Sequence, residues 1–219
     1  MINNNQDIHI FPLILCMLYV TFKLLSNALF MNHISINLHF TTLHITQSAM
    51  TYGFVFIILD AIFYICGKKI AIIIIFLGML MDALYSYGVY STHFFTAPEG
   101  LTLHQNILTI SIKQLSVPTW SLYYNGLVAS IITYLAELFI FSFVINRIFK
   151  NQFFLSSILS VGITLFTHNL YLYYKMFGQY DDFHEILISN YLFDMTFIII
   201  YSLLVSISLF LNRIKNKTS

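Results

Sequence analysis

Six long apolar runs constrain this chain more than any other feature, at about 8–30, 47–66, 70–90, 122–145, 153–177 and 186–211. A helix needs about 20 predominantly apolar residues to cross the hydrocarbon core of a bilayer. The runs meet that length, far exceed the roughly ten residues of a barrel strand, and lack strict alternation. The expected fold is therefore an all-α integral membrane protein, a bundle of about six transmembrane helices in a single domain over 1–219. Composition agrees: 58% of residues are hydrophobic and 9% charged, against about 25% charged in soluble domains. So little charge cannot cover a water-facing surface, which excludes a soluble enzyme and a disordered scaffold. A net charge of +1 offers no footprint for a polyanion, so no nucleic-acid partner is expected and the lipid bilayer is.

The punctuation between runs predicts the connections. Gly67, Lys68 and Lys69 separate the second run from the third, and Asn146 to Gln152 separate the fourth from the fifth. Breaks this short force antiparallel neighbours. Between the first two runs, Ile34, Ile36, Leu38 and Phe40 alternate with Ser35, Asn37 and His39, the period of an extended strand or hairpin at the membrane surface. The connection over 91–121 contains Pro98, Gly100 and Pro118 and is expected to be a long loop with room for a short amphipathic segment.

Lysine and arginine are retained on the cytoplasmic side of membranes. With the N-terminus inside, that side holds Lys68, Lys69, Arg147, Lys150, Arg213, Lys215 and Lys217, and the outside holds Lys113 and Lys175 beside Glu99, Asp181, Asp182 and Glu185. Both termini are thus expected to be cytoplasmic, in a multi-pass protein of the cell (inner) membrane. The opening run lacks a preceding Lys or Arg, so a cleaved signal is not expected.

Ionisable groups at membrane depth cost about 3 kcal/mol or more and call for a partner, a wet cavity or a task. Lys23, Asp60, Asp82, Glu137, His168 and Asp194 fall within or near the runs. Lys23 is long enough to snorkel to an interface, and Asp82 is placed where its helix approaches water. On the second run Tyr52, Phe56, Asp60 and Tyr64 recur every fourth residue and share a face. The fourth stacks Ser130, Thr133 and Glu137, the fifth Ser160, Thr164, His168 and Tyr171, and the sixth Asn190 and Asp194. Hydrocarbon cannot solvate such stripes, so they are expected to face inward around a cavity.

Catalytic patterns are missing. His184-Glu185 opens like a zinc-protease motif, but position 188 is Ile, so the second metal ligand is lacking. Cys16 and Cys66 lie inside apolar runs and support neither a disulfide framework nor a zinc cluster. No enzyme, metal or cofactor is expected.

Ser26-Asn27, then Thr46, Ala49, Tyr52, Phe56, Asp60, Gly67, Lys68 and Ala71, stand in the order and spacing of one known pattern, continued by Ser130, Tyr134 and Asn146-Arg147. On these residues the chain resembles the queuosine precursor transporter family, earlier named for vitamin uptake. It departs from the family at Gly53, Tyr64, Phe141 and Asn125, and His168 and Asp194 stand where the family has an acid and a lysine. The resemblance implies a transporter importing a small planar solute of 7-deazaguanine type. Asp60 or Glu137 would accept hydrogen bonds from its guanidine-like edge. Tyr52, Tyr64, Tyr134 and Tyr171 would stack on its ring, and Asn27 and Ser130 would complete the site. The same two carboxylates have a second role open to them, carrying a coupling proton. His168 and Asp194 are expected to pair, with the family's polarity reversed. Two further functions stay open: a solute-binding subunit served by a separate energising ATPase module, and a non-transporting structural or assembly protein. Either a homo-oligomer or such a module is compatible with the sequence.

Overall fold

A computed structural model of the chain describes residues 7–30, 32–38, 41–96, 99–179 and 183–218. Among them run α1 (Asp7–Leu29), β1 (His33–Leu38), β2 (Thr41–Thr46), α2 (Ala49–Cys66), α3 (Lys68–Ser91), α4 (Leu103–Phe143), α5 (Phe153–Phe177) and α6 (Phe183–Thr218). Six of these helices are long and apolar enough to cross a membrane. The chain is an almost wholly helical membrane protein with a short β-hairpin between its first two helices, as the run lengths and the alternation over 34–38 led one to expect.

The centre of the bundle is α2. Every residue from Val55 to Ile62 is buried, and α1, α3, α4, α5 and α6 all pack against this helix. A helix that is apolar all round belongs in such a position. The outer helices turn apolar side chains outward instead: Leu13 is 60% exposed, Leu80 56% and Phe139 73%. Only a lipid solvent makes that surface stable. Close packing rests on small residues. A Cβ on Gly78 would stand 2.6 Å from Tyr19 Cε1, and one on Gly53 2.9 Å from Ile198 Cγ1.

Turns follow local chemistry. Gly67 takes φ +81° between α2 and α3, a conformation open to glycine without steric cost, so two antiparallel helices are joined by one residue. In the ribbon, β1 and β2 pair antiparallel with His33 opposite Thr46 and Leu38 opposite Thr41. Phe40 and His39 of the expected alternation lie outside the described residues, as do Pro98, Asp181 and Asp182.

The expected loop over 91–121 is corrected. A single 3₁₀ turn, Thr92–Phe94, ends α3, and a helix of 41 residues begins at Leu103. Thr102 and Gln105 form a reciprocal capping box that starts it, satisfying two otherwise orphaned donors. Pro118 lies inside this helix without ending it, because the backbone groups it frees can be re-satisfied locally. At the far end α4 passes into a π-helical turn, Val144–Ile148. The α6 helix starts at Phe183, three residues before the expected run, and continues past its end to Thr218.

Candidate functional site

The polar stripes converge as their spacing required, but in two separate places. Between the ribbon-side halves of the helices lies a narrow, partly open cleft. Its walls include Asn27 of α1, Tyr52 of α2, Asp82 of α3, Ser130 of α4, His168 and Asn169 of α5, and Asp194 of α6. Tyr123 and Tyr173 add aromatic surface.

One wall is charged. Asp82 Oδ1 accepts from Asn27 Nδ2 at 2.5 Å, and Asp82 Oδ2 lies 3.4 Å from Lys23 Nζ. Lys23 is only 2% exposed and also sits 5.2 Å from the centre of the Tyr134 ring. It does not snorkel. A lysine at this depth calls for a carboxylate partner or an aromatic face, and Lys23 has both. Asp82, expected near water, is 7% exposed.

A further wall is built from hydrogen-bonded side chains of α2, α4, α5 and α6. His168 Nε2 meets Tyr52 Oη at 2.8 Å, and its Nδ1 meets Thr133 Oγ1 at 3.2 Å. The Tyr52 and His168 rings lie 5.2 Å apart and 30° from parallel, forming a broad aromatic shelf. Asp194 Oδ2 accepts from Asn169 Nδ2 at 2.8 Å, while Asp194 Oδ1 is buried without a partner. That oxygen is an acceptor without a donor, closed off from the open space of the cleft in this conformation.

The second meeting place lies two turns down α2 from Tyr52, towards Gly67. There Ser157 donates to Asp60 Oδ2 at 2.6 Å and Thr164 donates to Glu137 Oε2. Both acids are 0% exposed, and neither is among the cleft walls.

A family model described as "Putative vitamin uptake transporter" matches residues 46–208, well over half of the chain. The chain belongs to that family. No curated protein and no solved structure matches it. The family match takes in Tyr52, Asp82, Ser130, His168, Asn169 and Asp194, whereas Lys23 and Asn27 of α1 precede it. Together with the six-span architecture, membership makes this a small-molecule membrane transporter, multi-pass in the bilayer.

Within that frame the site expected from sequence divides. Asn27, Tyr52, Ser130, His168 and Asp194 line the cleft; Asp60, Glu137, Tyr64, Tyr134 and Tyr171 do not. Tyr134 is buried behind the cleft, its ring 5.0 Å from Phe56 and 6.1 Å from Tyr19. Tyr64 is 38% exposed and packs edge-on against Phe153, and Tyr171 is 44% exposed. His168 and Asp194 share the cleft but not a bond: the ring nitrogens go to Tyr52 and Thr133, and the carboxylate to Asn169. Asp82, Asn169, Tyr123 and Tyr173 are among the lining groups that were not expected as site residues. Asp82 had a signal, being an acid inside an apolar run, and the others had none beyond helical phase.

Proposed function

We propose that the chain imports a small planar solute of 7-deazaguanine type, a queuosine precursor, through the ribbon-side cleft. The free Oδ1 of Asp194 carries this assignment. A 7-deazaguanine presents two or more N–H donors along its guanidine-like edge, and a carboxylate accepts them as charge-assisted bonds. Asp82 is less suited to the task, since Asn27 and Lys23 already engage its two oxygens. The shelf of Tyr52 and His168, with Tyr123 and Tyr173 nearby, suits stacking of a flat ring. The acceptor is thus assigned to Asp194 rather than to Asp60 or Glu137.

The exposed Lys68, Lys69, Arg147 and Lys150 sit at the end of the bundle away from the ribbon. That asymmetry supports a ribbon side facing outward and both termini facing the cytoplasm, so that the cleft is open to incoming solute.

Uptake of labelled 7-deazaguanines by purified chain in liposomes tests the proposal directly. Saturable uptake that Asp194→Asn abolishes supports it. Absence of uptake by the native chain overturns the solute, and uptake that survives the substitution overturns the role of Asp194.

A further inference from the structure

The lower polar cluster is left unused by solute binding. Asp60 of α2 and Glu137 of α4 are both fully buried against one helix, α5, whose Ser157 and Thr164 each bond to one of them. One oxygen of each is occupied by a hydroxyl, Ser157 on Asp60 and Thr164 on Glu137. The other two, Asp60 Oδ1 and Glu137 Oε1, are fully buried and have no donor. The groups acting on the pair are the acids themselves and the hydroxyls of Ser157, Ser160 and Thr164. Lys23 of α1 is committed to Asp82 and to the face of Tyr134, and His168 of α5 to Tyr52 and Thr133.

Two ionised carboxylates cannot sit side by side in a dry interior without a cation. One proton held by the pair removes one of the two charges and leaves a single negative charge in the cluster. The pair lies one helical turn from groups that bond to the cleft wall. Thr133 and Glu137 are one turn apart on α4, and His168 and Thr164 one turn apart on α5. The His168–Thr133 bond therefore lies directly above the Thr164–Glu137 bond.

Resting on the transport function proposed above, we propose that Asp60 and Glu137 form a separate proton-carrying site, which couples solute movement to a proton gradient from outside the solute cleft.

Infrared spectroscopy of the native chain in lipid, compared with Asp60→Asn/Glu137→Gln, tests the site without any solute. The expected result is a protonated-carboxyl stretch at neutral pH that shifts in heavy water, fades as pH rises, and is missing from the double variant. Should that variant fail to fold, Thr164→Val keeps both acids and must shift the band. Spectra identical across these chains overturn the proposal. Coupling is tested in liposomes. A pH gradient should drive accumulation of labelled 7-deazaguanine by the native chain, and Glu137→Gln should lose accumulation while retaining solute exchange. Accumulation driven by sodium instead of protons, or unaltered in Glu137→Gln, overturns coupling. If the native chain moves no deazaguanine at all, the solute assignment fails, and the infrared band still decides whether the pair holds a proton.

Discussion

Lys23 of α1 and Asp82 of α3 form an ion pair, Nζ to Oδ2 3.4 Å, with side chains 3% and 10% exposed. Asn27, one turn along α1, donates to the other oxygen of the same carboxylate. This triad ties two helices together beside the cleft, and its charges are meaningful only as a set. Removing one partner of a buried pair leaves the other uncompensated, at a cost of about 3–5 kcal/mol, whereas replacing both with apolar groups is often neutral. Lys23→Met and Asp82→Leu should each lower the thermal unfolding temperature of the purified chain sharply. Lys23→Met/Asp82→Leu should recover much of that loss. A double variant as unstable as the sum of the singles would show that the two charges act independently.

Asp194 offers a contrast in the same cleft. Its Oδ2 is satisfied by Asn169 and its Oδ1 is not. Asp194→Asn should therefore leave folding close to native and weaken 7-deazaguanine binding by about tenfold to a hundredfold, the worth of a charge-assisted hydrogen bond. Calorimetric titration of both chains gives the comparison. Equal affinities would remove Asp194 from solute recognition.

Gly78 is a point of close approach between α3 and α1. A methyl group there would stand 2.6 Å from Tyr19 Cε1 and 3.2 Å from Lys23 Cδ, and the Tyr19 ring is 0% exposed, with no room to retreat. Gly78→Ala should destabilise the chain by about 1–3 kcal/mol through overpacking. Gly88→Ala, on the same helix with open space at its Cβ, is the control and should have little effect. Thermal unfolding of both variants checks the contrast.

Thr46 closes the ribbon onto the bundle. Its backbone N–H and its hydroxyl both donate to Asn190 Oδ1, at 2.8 and 3.0 Å, and its hydroxyl is also 3.0 Å from Tyr173 Oη. Thr46→Val keeps the shape and removes the hydroxyl, leaving Tyr173 and Asn190 with one contact fewer. Amide hydrogen exchange over 33–46 should quicken by about fivefold to tenfold, the equivalent of one net hydrogen bond. Unchanged exchange would mean that the ribbon is held by other contacts.

The spans were legible because run length alone distinguishes a membrane helix from anything else. The ribbon was legible because Ile34, Ser35 and Ile36 change the period to two. What misled was punctuation and phase. Pro118 looked like a boundary, but the capping box at Thr102 had already started a helix that runs through it. On α2, each four-residue step advances about 40° round the helix, so three steps carry Tyr64 about 120° away from Tyr52. The two tyrosines consequently face a lipid-side surface and a cleft wall. Helical spacing could place Asp60 and Glu137 on inward faces, and both are fully buried. It could not reveal that the interior holds two polar centres at different depths, because depth is set by how neighbouring helices are staggered. Lys23 illustrates the same limit: reach permitted snorkelling, and only the position of Asp82 on another helix decided against it.

The stitching of Thr46 to Asn190 and Tyr173 has a mechanical corollary. Its strand runs directly into α2 and, through its partner strand, into α1, so α1, α2, α5 and α6 are yoked at one rim. Outside that yoke stand α3 and α4, interlocked by Trp120 against Tyr87 and Tyr90. At that rim the Lys23–Asp82 bond fastens α3 to α1 beside the cleft.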